Sequence, residues 1–174
     1  MDFSLDRSKE VLSRTPDVLR AMLVGVSDGW TAGDEGPGTW TPYQVVGHLT
    51  HIDEVDWIDR TRRILEHGTS QVFEPVDREA GFARFKGMSL DDLLDRFASV
   101  RAANLTTLHA LVGVDELSRR GVHPSFGEVT LGQLLATWTV HDLNHVGQIV
   151  KTMAKQYTDA IGPWREFLPI VDAP

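Results

Sequence analysis

The chain contains no cysteine. That excludes a disulfide framework, a cysteine nucleophile and any thiolate metal site, and it fits a reducing compartment such as the cytoplasm. No run of about 18 apolar residues is present to cross a bilayer. The opening residues Met1-Asp2-Phe3-Ser4 lack the basic and apolar regions of an export signal, so a cytoplasmic location is expected. A basic block is missing as well: 17 Lys and Arg stand against 25 Asp and Glu, a net charge of −8. Such a balance disfavours nucleic acid and anionic membranes as partners. Aromatic residues are sparse at 8%, and no internal repeat, low-complexity tract or sustained strand-like alternation appears. What remains is a 174-residue chain, 41% hydrophobic, long enough to close one core without staples and read as one domain over 1–174.

Helix starts are the clearest punctuation. Leu5, Val11 and Leu12 suggest a first helical stretch broken near Pro16. Thr15-Pro16-Asp17 reads as an N-cap with proline at the first helical position, followed by Leu19, Met22, Leu23 and Val26 at helical spacing. Residues 28–39 are glycine-rich and predict a loop. Thr41-Pro42-Tyr43-Gln44 is a capping box, and the stripe Val45, Leu49, Ile52, Val55 predicts a helix running to about Glu66, stopped at His67-Gly68. Residues 68–88 have no clean period and predict a long excursion over one end of the bundle, a natural wall or lid.

Ser89 opens a third helix whose buried face is Leu90, Leu93, Leu94, Phe97, Val100, Leu105, Leu108 and Leu111. Residues 113–129 read as a loop. Thr130-Leu131-Gly132-Gln133 is a second capping box, leading a helix through Leu134, Leu135, Trp138, Ile149 and Met153, with Gly162-Pro163 breaking the chain before a tail from Trp164 to Leu168. Four long helices with substantial loops predict an all-α four-helix bundle.

The histidines carry the chemical information. His141 and His145 lie four apart and share a helix face with Leu134, Trp138 and Gln148, so two imidazoles occupy the inward seam. Each must find partners for its ring nitrogens or cost on the order of 1–3 kcal/mol. His48 sits on the same side of the second helix as Val45, Leu49 and Ile52, and meets the pair if those two helices are neighbours. Three neutral imidazoles suit Zn²⁺ or Ni²⁺, and with no cysteine the fourth position falls to water or substrate, as in catalytic zinc sites. Against this, a lone inward histidine is ordinarily a satisfied core residue. His51 is a rival three residues after His48, exchanged with it by a small helix rotation, whereas His67, His109 and His123 have no spaced partner.

Asp53, Asp56 and Asp142 stand near these positions, and Asp53 and Asp142 are candidates to accept the second ring N–H of a ligating histidine. The competing reading, favoured by the abundance of acidic residues, is a solvated helix face. Trp57 and Trp138 fit core packing, while Trp40 and Trp164 are placed to flank a cavity mouth. Trp40, Trp138, Arg84 and Arg165 make up the candidate pocket.

Trp40-Thr41-Pro42 leading to Val46-Gly47-His48-Leu49, then His141-Asp142-Leu143-Asn144-His145-Val146-Gly147-Gln148 and the ending Gly162-Pro163-Trp164-Arg165-Glu166-Phe167-Leu168, resembles the DinB/YfiT-like superfamily over nearly the whole chain. The resemblance implies an up-down-down-up four-helix bundle, paired as a homodimer, with a histidine triad holding nickel or zinc. It assigns the ligands as His48, His141 and His145, favouring His48 over His51. It also implies a thiol-dependent S-transferase or isomerase using mycothiol, bacillithiol or glutathione. Such a thiol would supply the sulfur that this chain lacks, and a metal would hold it as thiolate near neutral pH. The thiol's carboxylates would need a basic residue, for which Arg84, Lys86 and Arg165 are the candidates.

Three readings follow. In the first the chain is a metal-dependent transferase with a thiol and an electrophile as partners; a metal-bound hydroxide at the same site would make it a hydrolase. In the second it is a non-enzymatic binding or stress-response protein whose metal is structural. In the third there is no metal, and the histidines bond carboxylates and carbonyls instead.

Overall fold

A computed structural model describes residues 2–172. Eight α-helices are formed among them: α1 Leu5–Leu12, α2 Thr15–Leu23, α3 Asp28–Ala32, α4 Pro42–Val55, α5 Trp57–His67, α6 Ala80–Arg84, α7 Leu90–Leu111 and α8 Leu131–Lys155. A two-stranded antiparallel hairpin, β1 Arg120–His123 with β2 Gly127–Thr130, precedes α8.

Four long rods make the bundle. The first is α1 with α2, the second α4 with α5, the third α7 and the fourth α8. Cross-links between rods fix their directions. Ser8 bonds Thr139, and Leu12 lies level with Asp142 through Arg101, so the first and fourth rods run together. Leu12 meets Arg101 while Arg20 meets Asp95, so the first and third run oppositely. Tyr43 meets Met88 and Asn104 meets Asp53, so the second and third are parallel. The order is therefore up-down-down-up.

Both capping boxes form as the sequence predicts: Thr41 Oγ1 accepts from Gln44 N while Gln44 Oε1 accepts from Thr41 N, and Thr130 and Gln133 do the same. These caps fix where the two histidine-bearing helices begin. Elsewhere the structure corrects the sequence reading. Thr15 is no cap; its hydroxyl turns back to the Val11 carbonyl, and Arg14 holds the cap position without a side-chain bond. The glycine-rich 28–39 stretch includes the short α3. The second rod breaks at Asp56 (φ −120°, ψ −68°) rather than running unbroken to Glu66, and Gly68 at φ +56° ends it. Residues 113–129 are not all loop, since they contain β1 and most of β2; each strand is only four residues long, too short for an alternation to show.

The 68–88 excursion folds back along the second rod. Val72 bridges Val122 of the hairpin. Then α6 lies against α4 so closely that a Cβ added at Gly81 would stand 2.7 Å from the Gly47 carbonyl oxygen. Only glycine permits that approach.

The core has two parts. One gathers Leu12, Ile52, Trp57, Ile64, Leu108, Leu135 and Trp138, the other Leu19, Leu23, Val46, Leu49, Leu93, Phe97 and Ile149. On α7 the apolar face ends earlier than the periodicity predicts, with Leu111 at 37% exposure, and includes a charged residue, Arg101, at 1%. No helix among the described residues is long and apolar enough to cross a membrane.

Candidate metal centre

Between α4 and α8 the three histidines singled out by the sequence converge. One nitrogen from each of His48, His141 and His145 lies within 4.8 Å of the others. His48 Nε2 and His141 Nε2 are 3.1 Å apart. The ring centroids are 4.4 Å apart for His141 and His145 and 4.7 Å for His48 and His145. His51, the rival on α4, is also buried but points elsewhere, its Cβ against Gly81.

Two of the rings are oriented by their second nitrogen. His48 Nδ1 donates to the Arg78 carbonyl at 2.8 Å, and His145 Nδ1 donates to Gln148 Oε1 at 2.7 Å. Each bond places the proton on Nδ1 and leaves an Nε2 lone pair facing the cluster. His141 Nδ1 is buried without a hydrogen-bond partner, and its ring is held by an edge contact with Trp57 at 5.3 Å. Burial is the main reason all three imidazoles resist protonation. His48 is pushed down to about 4 and His141 to about 2; His145 is lowered as well, with its Gln148 bond partly offsetting the burial. The donor set is thus three neutral imidazoles, which a divalent ion needs and a proton does not readily occupy. These residues fit such an ion.

The chain belongs to the DinB superfamily. The family model matches residues 11–149, a span that takes in all three histidines. The fold is shared with solved four-helix bundle structures. One is Bacillus subtilis YfiT, described as a probable metal-dependent hydrolase with an unusual four-helix bundle topology; it is 20% identical, with a TM-score of 0.73, over 92% of this chain and 91% of that one. Another is TT2238, a four-helix bundle protein, 20% identical with a TM-score of 0.60, over 86% of this chain and 100% of that one. Among curated proteins, none matches the sequence.

Beside the DinB histidine cluster lies a cleft of about 430 Å³, bordered by Trp40, Arg78, Glu79, Asn144, His145 and Gln148 together with Glu35 and Lys151. Trp40 belongs to it as the sequence suggests: its ring lies near-parallel to His145 at 6.1 Å and tilted on His48 at 5.0 Å. Trp138 does not border it, being fully buried and stacked on Trp57 at 5.6 Å. Arg84 is spent on Glu54 at 2.7 Å and Arg165 on Asp172 in the tail, so neither reaches the cleft. Lys86 borders a separate cavity near Phe85, and Trp164 is 68% exposed.

The carboxylates overturn both sequence readings. Asp53, Asp56 and Asp142 are 3%, 6% and 0% exposed, so none lies on a solvated face. Nor does any of them bond a histidine. Arg101 takes Asp53 and Asp142 instead. Its five N–H groups go to both Asp53 oxygens, both Asp142 oxygens and the Leu12 carbonyl, and Trp138 Nε1 adds a bond to Asp53 at 3.2 Å. Burial pushes the Asp53 carboxyl up to about 6 against the pull of Arg101, while the two carboxylates hold the guanidinium above its usual value. Two carboxyl groups face one guanidinium there, so by formal charge the knot is acidic by one, directly behind the histidines. Asp56 pairs with Arg60 at 2.5 Å.

The orienting partners were thus missed. Gln148 had a visible signal, three residues after His145 on the same face. The Arg78 carbonyl had none, because it reaches His48 only through the fold of the excursion.

Proposed function

We propose that this DinB protein is a metal-dependent S-transferase in which His48, His141 and His145 hold one zinc or nickel ion, with a low-molecular-weight thiol of the mycothiol or bacillithiol type as cosubstrate and an electrophile as acceptor. The observation that carries the reading is the convergence of three neutral imidazole nitrogens beside a cleft of about 430 Å³. A closed structural site would use a fourth protein ligand, and the cluster found among the described residues has three. When bound, the ion would lower the pKa of a ligand thiol and so keep it nucleophilic near neutral pH.

The chain's own residues do the positioning. The Arg78 carbonyl and Gln148 Oε1 fix the tautomers of His48 and His145, so their Nε2 atoms face inward without a rearrangement. Trp40 covers two of the rings and limits water on that side. The Asp53–Arg101–Asp142 knot offsets part of a dication's charge from behind.

A hydrolase is the second reading, supported by the fold shared with YfiT, whose description names that class. Assaying zinc- and nickel-loaded protein against an electrophilic bimane, with and without added thiols, and against simple esters and amides separates the two. Thiol-dependent conjugation supports the transferase; ester or amide turnover indifferent to thiol replaces it with the hydrolase. We further propose a homodimer, to be checked by sedimentation.

A further inference from the structure

Arg78 was no candidate in the sequence, yet it is a cation beside the chemistry. Its backbone carbonyl is bonded to His48, which pins this residue against the histidine cluster. The residue borders the cleft, where it is exposed, and its positive charge disfavours protonation of His48, His141 and His145. The other cation of the cleft, Lys151, meets the Glu35 carboxylate at 3.4 Å. Among the described residues no carboxylate pairs with the Arg78 guanidinium.

Charge makes that placement informative. A dication on three neutral imidazoles brings two positive charges and Arg78 a third, against one net negative charge from the two carboxylates and one guanidinium of the buried knot. Arg78 and Glu79 are both exposed at the rim of the cleft, so Glu79 offsets one of those charges. One positive charge is left over beside the metal position, and an anion arriving with the ligand would balance it. A guanidinium fork matches a carboxylate through two parallel bonds, which a lone ammonium does not.

We propose that Arg78 anchors the carboxylate of a small anionic ligand whose other end meets the histidine cluster, so that the cleft selects carboxylate-bearing thiols or acceptors over neutral ones. This rests on the metal-site reading above. Trp40 forms the flat wall along which such a ligand lies, and Asn144 on α8 is the neighbouring amide.

The test uses the full chain loaded with cobalt(II), whose thiolate absorption band reports ligation without any turnover. Mercaptoacetate and 2-mercaptoethanol are titrated into wild type, Arg78→Met and Arg78→Lys, with cobalt content measured in each. In a second arm, acetate is titrated into protein already holding 2-mercaptoethanol. Wild type is expected to favour mercaptoacetate, and Arg78→Met to bind it about tenfold more weakly with little change for 2-mercaptoethanol. Arg78→Lys, keeping the charge without the fork, falls between. Cobalt content should hold or rise in Arg78→Met, since a cation beside the dication is removed; Arg78→Lys provides the comparison if the methionine variant folds poorly. An Arg78-dependent response only in the acetate arm assigns the carboxylate to the acceptor rather than the thiol. Variants that match wild type in both arms while holding cobalt overturn this proposal alone. Wild type that takes up no cobalt overturns the metal reading and this proposal with it.

Discussion

His48 Nε2 and His141 Nε2, from residues 93 apart in sequence, face each other at 3.1 Å across the α4–α8 interface. Because His48 gives its only proton to the Arg78 carbonyl, its Nε2 must accept, so His141 Nε2 donates in the metal-free protein. Metal uptake then requires only a tautomer shift of one ring and no loss of a proton from the cluster.

That sets a first prediction. With His48 held down to about 4 and His141 to about 2, zinc binding at pH 6 should release close to no protons from these two ligands, and His145, lowered as well, should release less than an ordinary imidazole. Ordinary imidazoles with pKa about 6.5 would release more than two from a cluster of three. Calorimetric titration in buffers of different ionisation enthalpy measures the number directly.

The stability of the metal-free protein should depend on pH through two opposed contributions. The imidazoles have folded pKa values below the unfolded value, so the unfolded chain binds more protons from about 6.5 down to 4. Their contribution is fully present above 6.5 and is lost as pH falls. Asp53 and Asp56 are pushed by burial up to about 6, so the native state binds more protons between 3.8 and 6. Their contribution is present at low pH and is lost as pH rises. Three imidazoles against two carboxylates predict a net rise in stability from pH 4 to 6.5, and replacing His48 and His141 by Asn should lower its slope. Urea melts at successive pH values show it.

Arg101→Met should cost about 3–5 kcal/mol, because it leaves Asp53 and Asp142 buried without a counter-charge and frees the Leu12 carbonyl. Replacing Arg101, Asp53 and Asp142 together by apolar residues should cost far less than the single change. Urea denaturation of both variants gives the comparison.

Gly81→Ala would bring a Cβ within 2.7 Å of the Gly47 carbonyl and 3.0 Å of the His51 Cβ, both on α4. Moving α6 away should cost about 1–3 kcal/mol and also weaken metal retention, since the Arg78 carbonyl moves with it. Gly29→Ala, with nothing within 4 Å, is the near-neutral control in the same melts.

The bundle was legible because its helix starts are chemical: Thr41 with Gln44, Ser89, and Thr130 with Gln133 each satisfy backbone donors locally. His141 and His145 were legible for the same reason, since helical spacing alone sets them side by side. Placing His48 with them needed the family resemblance, because periodicity leaves His51 as an alternative. The buried knot went unread. Arg101 sits on the α7 seam, four after Phe97 and seven before Leu108, and a charge at such a position was the available signal. Its partners Leu12, Asp53 and Asp142 lie on the three other rods, so only the assembled bundle reveals them. The Arg78 contact was hidden for a similar reason, since it depends on where the 68–88 excursion lands, whereas the hairpin was hidden because its strands are four residues each.

The central claim is that His48, His141 and His145 hold a metal, and metal content tests it most directly. Protein purified without an affinity tag or chelator should carry about one zinc or nickel per chain, and His145→Ala, measured beside it, should carry almost none while staying helical. Wild type that holds no metal after incubation with both ions, or a variant that retains it, would contradict the account.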